Sequence, residues 1–523
     1  MKNVMRLSFD LREKGSQISN IAKALCIWDF NTFDDQGAFG RMPEGWFKAQ
    51  NPFLEYVILM TFTGGAGRGE WVSLDAAGKP VYDFSTPLRV LKNVLRQGLR
   101  PIIVLGNVPY ALSQKQFSEY DSYEWGNRCA PDDYAVYSDY IRAFGRMIRE
   151  HFPASEYRHW AFRVGTEPDN PHWWTPGEAE YCKLYDYTVA ALEEALGGEN
   201  ITVFSGNLSV YREFGGFYRH CDHGINYATG KIGTRNDAIS ISHYNDLKDD
   251  GCEFTHLRGI LKETRELIGG ACPGKFKSVN VGEGQFIQDG SVPPFRLAMG
   301  QDLTSYAASW TAHMFDALTE AGLDYFANWT YYCDCFQTNE PMLRVPAWYA
   351  ADFMGKMAGG YRVSAQLDGV SERGNTVGGF LSAPADDKGV VRGMIYNHCL
   401  SRENHAEQIS VQLLGLSRDR RYACRAWVID EEHSGFAADW LEKSRSIRRI
   451  RREVDIDAVG SIYDSEVFSI LEEKDQQYWL ACKRVYCEHQ YLEQADVAWN
   501  DQTGQLDCQL GGHGVLMIEW TPV

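Results

Sequence analysis

The feature that most constrains the fold is a repeated exchange of two hydrophobic periods between about residues 53 and 358. Short apolar or β-branched runs, ending in Gly, Asn, Thr or His, alternate with longer runs in which apolar residues recur every three or four positions. The strand-like runs are Phe53–Phe62, Pro101–Asn107, His159–Val164, Ile201–Gly206, Ala238–His243, Lys277–Gly282 and Tyr325–Trp329. An eighth near Ala24–Phe30 completes the set. Between them, Asp133–His151, Ala179–Leu196, Leu257–Ile268 and Thr304–Ala321 carry the helical period. Such alternation leaves an open doubly wound sheet or a closed barrel. No Gly-rich phosphate loop follows the first strand, which removes the dinucleotide-binding version of the open sheet. The expectation is therefore a (β/α)₈ TIM barrel, an α/β fold, over residues 15–358.

After Gly359-Gly360 the period changes to short alternating segments divided by turn residues. These are Thr376–Leu381, Val390–Asn397, Gln408–Leu413, Tyr422–Ile429, Gln477–Val485 and Val515–Trp520. They predict a C-terminal β-sandwich over 361–523, with strand-like Arg6–Leu11 in residues 1–14 pairing into it.

Composition excludes some partners. A net charge of −18 disfavours nucleic acid and anionic membrane surfaces. No apolar run reaches the roughly 18 residues that a membrane span needs. The first residues show no secretory signal, which places the chain in the cytoplasm unless it was trimmed. The 13 cysteines lack a disulfide or zinc spacing, so no metal or cofactor is expected. A homo-oligomer stays open.

Two motifs carry chemistry. In His159-Trp-Ala-Phe-Arg-Val-Gly-Thr-Glu167-Pro-Asp-Asn170, an apolar strand runs into a carboxylate held by the following proline. In Phe276-Lys-Ser-Val-Asn-Val-Gly-Glu283-Gly-Gln-Phe286, another strand ends at a glutamate. The two lie 116 residues apart, three units of roughly 39 residues, the size of a βα unit. They then face each other from strands four and seven at the carboxyl-end mouth. A carboxylate pair flanking a glycosidic bond is what retaining hydrolysis requires, one member as nucleophile and the other as general acid/base.

This pattern resembles the clan A glycoside hydrolases, and most of all glycoside hydrolase family 39, which includes β-xylosidases and α-L-iduronidases. Thr166-Glu-Pro-Asp-Asn-Pro-His-Trp-Trp174 is similar to the family's Asn-Glu-Pro-Asn/Asp element with its aromatic pair. Ile239-Ser-Ile-Ser-His243-Tyr244 and Trp329-Thr-Tyr-Tyr-Cys-Asp334-Cys-Phe336 are similar to its sixth and eighth strand ends. The resemblance implies Glu167 as acid/base and Glu283 as nucleophile. It also implies a β-xylosidase-like retaining exo-glycosidase that takes a short oligosaccharide or glycoside. Thr166, His243, Tyr244, Trp329, Trp173, Asn107 and Gln285 are the candidate substrate-binding residues, Tyr244 through a bond to the nucleophile and Trp329 as a sugar platform.

Three departures surround the sugar pocket. Thr166 stands where the family has Asn, Gly284 follows the nucleophile where Trp is common, and Leu59-Met-Thr-Phe-Thr63 lacks the Arg-x-His of strand two. They leave an α-L-arabinosidase, an α-L-iduronidase, a β-glycosidase or a non-catalytic carbohydrate-binding barrel open as alternatives.

Overall fold

The computed structural model describes residues 4–523 except 28, 67–68, 114–125, 210–214, most of 247–277, 288–303, 330–332, 335–342, 373, 387, 400–404, 418 and most of 436–491. Eight parallel strands form the first layer: β1 (Ala24–Ile27), β2 (Tyr56–Leu59), β3 (Arg100–Leu105), β4 (Ala161–Val164), β5 (Thr202–Ser205), β6 (Ala238–Asp246), β7 (Ser278–Ile287) and β8 (Phe326–Asn328). Hydrogen bonding runs β5-β4-β3-β2-β1-β8-β7-β6. Past β5, the Leu208 N–H donates to Ser240 O at 3.0 Å, and the Ser242 N–H donates to Leu208 O at 2.9 Å. Those two bonds join the ends of the sheet and close the barrel.

The strands are short and apolar because both faces are covered. In β3, Ile102 and Val104 join the small cluster inside the barrel, whereas Ile103 and Leu105 pack outward against helices. The helical layer includes α1 (Ser85–Arg96), α2 (Tyr134–His151), α3 (Glu178–Leu196), α4 (Gly215–His223), α5 (Ser305–Glu320) and α6 (Pro346–Met357). In α2, the Asp133 carboxylate caps the first turn by accepting from the Ala135 and Val136 N–H groups. Tyr137, Tyr140, Ile141, Phe144 and Ile148 then bury one face at three- and four-residue steps. The expected helix at Leu257–Ile268 lies outside the described residues, apart from isolated positions.

Two antiparallel-rich sheets form the sandwich. One has six strands: β9 (Tyr361–Ser364), β10 (Thr376–Ala383), β11 (Val391–His398), β13 (Tyr422–Ile429), β15 (Gly514–Pro522) and Glu493–Gln494. The other holds β12 (Glu407–Leu414), β14 (Gln505–Leu510), Gln366–Asp368, Ala498–Asn500 and the N-terminal strand Val4–Asp10. Val4–Asp10 runs parallel to β12 and antiparallel to Gln366–Asp368. The strand expected at Gln477–Val485 lies mostly outside the described residues, and the described Gln477 and Ala481 are helical. No helix among the described residues is long and apolar enough to cross a membrane.

The six-stranded sheet is buried on both sides. Leu516, Ile518 and Trp520 of β15 face the second sheet, while Val515 and Met517 join the barrel's helical core. The Asp316 carboxylate of α5 forms an ion pair with Arg362 and accepts the Tyr396 hydroxyl at 2.9 Å. Arg362 also donates to the Thr319 hydroxyl at 2.6 Å. These buried charges are matched across the seam between barrel and sandwich, so neither is left uncompensated.

Candidate active site

Glu167 sits three residues beyond a strand whose side chains alternate inward and outward. Ala161 belongs to the interior cluster, Phe162 and Val164 to the helical core, and Arg163 is fully buried. The chain then turns through Gly165 (φ +75°) to Glu167, itself at φ +38°. A left-handed glutamate is uncommon and costs local conformational energy, a recurrent feature of functional sites. Its carboxylate accepts from Asn170 Nδ2 at 2.8 Å.

Glu283 reaches the interior by a different device. Val279 and Val281 of β7 point outward into the helical core. Simple alternation would send Glu283 the same way, because a one-residue slip flips a side chain to the other face. The register with β6 shifts here: Val281 pairs with Ile241, but Glu283 pairs with Ser242. Gly282 is thus the extra residue of a β-bulge, and the bulge re-aims the glutamate inward. A side chain at Gly282 would meet Ser240 Oγ at 2.3 Å and Arg163 Nη1 at 3.1 Å.

Both carboxylates are nearly buried, Glu167 at 7% and Glu283 at 4% exposure. The Tyr244 hydroxyl donates to Glu283 Oε1 at 2.5 Å, and Asn207 Nδ2 donates to Glu283 Oε2 at 3.3 Å. The same Asn207 amide donates to Ser242 Oγ at 2.6 Å, and Ser242 in turn hydrogen-bonds Glu167. A polar bridge of Ser242 and Asn207 therefore joins the two glutamates across the mouth.

Burial pushes both carboxyls above the usual range, and their partners separate them. Glu167 rises to about 7 through burial and the nearby charge of Glu283, against smaller pulls from Ser242 and Asn170. Glu283 is also raised by burial, but the Arg163 charge and the Tyr244 and Asn207 hydrogen bonds hold it back. Burial and the charge of Glu283 push the Tyr244 hydroxyl far up, so it stays a neutral donor. Glu167 is thus the member of the pair that keeps a proton, and Glu283 the member best supplied with stabilising partners when charged.

The remaining sequence candidates divide. Trp329 packs edge-on against Tyr244 with centroids 6.1 Å apart, which brings it to the mouth. Trp173 joins the barrel-interior cluster, whereas Trp174 packs in the helical core and donates its indole N–H to Gly177 O at 2.8 Å. Asn107, partly buried, donates to the Asn127 carbonyl at 2.9 Å and so ties two mouth loops together. Buried Thr166 turns its hydroxyl toward Arg163, accepting at 3.1 Å. His243 pairs with Gly284 and lies between Ser242 and Tyr244 in sequence, so strand alternation gives it the opposite face from those two. Gln285 is placed by its backbone alone, opposite Tyr244. The family's Trp has no room at Gly284, where a side chain would meet Phe326 Cζ at 2.5 Å and His243 O at 2.6 Å.

Sequence reasoning passed over Asn207, Ser242, Asn170 and Arg163. Arg163 left a signal, a charge in the middle of the apolar run Trp160–Val164. Asn207 follows the fifth strand by two residues, a position that opens on the mouth in any such barrel.

Comparison with known proteins agrees with this geometry. Residues 70–263 match the sequence profile described as Glycosyl hydrolases family 39. A β-xylosidase of Geobacillus stearothermophilus is 32% identical over 123 residues, 23% of this chain and 24% of that enzyme. The alignment therefore spans about a quarter of the curated relative. Over residues 70–263 the chain is similar to family 39 of the glycoside hydrolases. The fold is also that of solved structures. A monomeric β-xylosidase from Caulobacter crescentus CB15 superposes with a TM-score of 0.68 at 17% identity, covering 99% of each chain. A family 39 enzyme from Xanthomonas axonopodis pv. citri gives 0.68 at 15% identity, over 100% of this chain and 98% of that one. At these identities the superpositions speak for the fold.

Proposed function

We propose that this glycoside hydrolase is a retaining exo-glycosidase that works by double displacement on short oligosaccharides and is β-xylosidase-like in its sugar. The observation that carries the reading is the buried glutamate pair, bridged by Ser242 and Asn207 and unequal in its partners. In the first step Glu283 attacks the anomeric carbon while Glu167 gives its proton to the leaving oxygen, so the glycosidic bond breaks as a glycosyl ester forms. In the second step Glu167 takes a proton from water, whose oxygen displaces Glu283 from the anomeric carbon. Tyr244 and Asn207 hold the Glu283 oxygens, and Trp329 offers an aromatic face beside them. A neutral pentose is favoured by the relatives that are named β-xylosidases. In the same reading the catalytic unit is residues 15–358, and residues 361–523 with the N-terminal strand buttress it.

The test is a panel of aryl glycosides with three proteins. The wild type is expected to turn over β-xylosides best. Glu283→Ala should lose activity on every member. Glu167→Ala should keep dinitrophenyl glycosides, whose leaving group needs no proton, and azide should rescue it by attacking the glycosyl-enzyme. Near-normal turnover of an unactivated substrate by both variants would defeat the assignment.

A further inference from the structure

The inside of the barrel holds a cation that the proposed chemistry has not yet used. Arg163 projects inward from β4 with no exposed surface. It donates through Nη1 to Gly282 O at 3.2 Å, and through Nη2 to Thr166 Oγ1 at 3.1 Å and Met60 Sδ at 2.9 Å. Among the described residues its Nε has no acceptor. Among the described residues it makes no ion pair, for no carboxylate oxygen comes within 4.0 Å.

A guanidinium cannot shed its proton to escape burial, so its charge must be offset from nearby. The groups around the neighbouring Glu283 narrow the choice. They are Tyr244 from β6, Asn207 beyond β5, Cys26 of β1 and Glu167 beyond β4, with Tyr325 ahead of β8 also facing Arg163. Burial keeps the thiol and both phenols neutral, and Glu167 holds its proton to about 7. Among the described residues that leaves Glu283, the residue next to the carbonyl that Arg163 binds. The space is reserved for the contact: any side chain at Gly282 would come to 3.1 Å from Nη1. Strand two, Leu59-Met-Thr-Phe-Thr63, brings no cation of its own to this point.

We infer that Arg163 is a positioning residue for Glu283: its buried charge favours the ionised carboxylate, and its bond to the Gly282 carbonyl fixes the bulge that aims it. The catalytic consequence rests on the proposed reading of Glu283 as nucleophile. Arg163 acts through that carboxylate and does not touch the substrate.

The test removes the charge by Arg163→Met, and by Arg163→Gln, which keeps an amide for the Gly282 carbonyl and the Thr166 hydroxyl. Arg163→Lys retains the charge. Infrared difference spectra between each protein and its Glu283→Gln partner, recorded across pH, follow the ionisation of this one carboxyl whatever its role. The Met and Gln variants should raise its midpoint by about 1–3 pH units, the Lys variant by clearly less. The acidic limb of kcat/KM on a dinitrophenyl glycoside should rise in parallel. If a folded neutral variant keeps the wild-type midpoint, or if Lys shifts it as far as Met and Gln do, the inference is overturned. If the spectroscopic midpoint moves while the kinetic limb stays, the charge coupling stands and the reading of Glu283 as nucleophile falls.

Discussion

Glu167 and Glu283 show how two identical side chains can take different parts through their neighbours. Each is buried, but among the described residues Glu283 is the one with a cation nearby and both a phenol and an amide bonded to it. The elevated pKa of Glu167 links its protonation to stability. Below about pH 4.5 its carboxyl is protonated in both the folded and unfolded chain and contributes nothing. Between that point and about 7 the unfolded chain loses the proton while the folded one keeps it, so stability falls as pH rises. Glu167→Gln should therefore be neutral in acid and stabilising above neutrality, by roughly 2–3 kcal/mol. Thermal unfolding at pH 4 and pH 8 checks this, and a variant equally stable relative to wild type at both values would contradict it. The basic limb of wild-type kcat/KM should fall near pH 7 for the same reason. Tyr244→Phe removes the hydroxyl from Glu283 and should lower kcat/KM by about 10- to 100-fold, the worth of a hydrogen bond to a charged group. Steady-state kinetics with a dinitrophenyl glycoside measures it, and an unchanged value would show that the 2.5 Å contact is idle.

At the scale of elements, the eight strands were legible because each is a short apolar run set between helical periods. The two glutamates were legible because a carboxylate interrupts each apolar run, although β7 does not end at Glu283 as expected but pairs on to Ile287. What the pattern does not encode is the bulge. Val279, Val281 and Glu283 share one parity in the sequence, and only the register against Ile241 and Ser242 shows that Gly282 breaks it. His243 illustrates the same limit. A strand-end histidine is easy to find, but its face follows from its neighbours Ser242 and Tyr244, both of which reach the glutamates. Asn207 was hidden because its partners come from β6 and β7, far away in sequence. The bulge makes a sharp prediction. Gly282→Ala places a methyl group 2.3 Å from Ser240 Oγ and against Arg163, so it should lower the melting temperature and reduce kcat/KM together. Wild-type activity and stability in this variant would show that Gly282 is replaceable.

Across the whole molecule, barrel and sandwich share one continuous apolar core. Phe380, Met394, Tyr396, Val515 and Met517 of the six-stranded sheet cluster with the helical layer of the barrel. The break in period at Gly359-Gly360 was visible in the sequence. The packing of the sheet on α5 was not, because β11 and β15 are apolar on both faces and periodicity alone cannot say what covers the second. A chain ending at residue 358 would expose the seam and strand Asp316 without Arg362 and Tyr396. It should not accumulate as folded protein, and a well-folded barrel by circular dichroism would contradict that. The intact chain permits the most direct test of the central claim, a covalent glycosyl-enzyme on Glu283. An activated 2-deoxy-2-fluoro glycoside, of the sugar that the aryl panel selects, slows the second step and lets the ester accumulate. Peptide mass spectrometry of the inactivated protein should place one fluoroglycosyl group on Glu283, while the first-formed product of ordinary turnover keeps the substrate's anomeric configuration by NMR. A label on another residue, or a product of inverted configuration, would contradict the account.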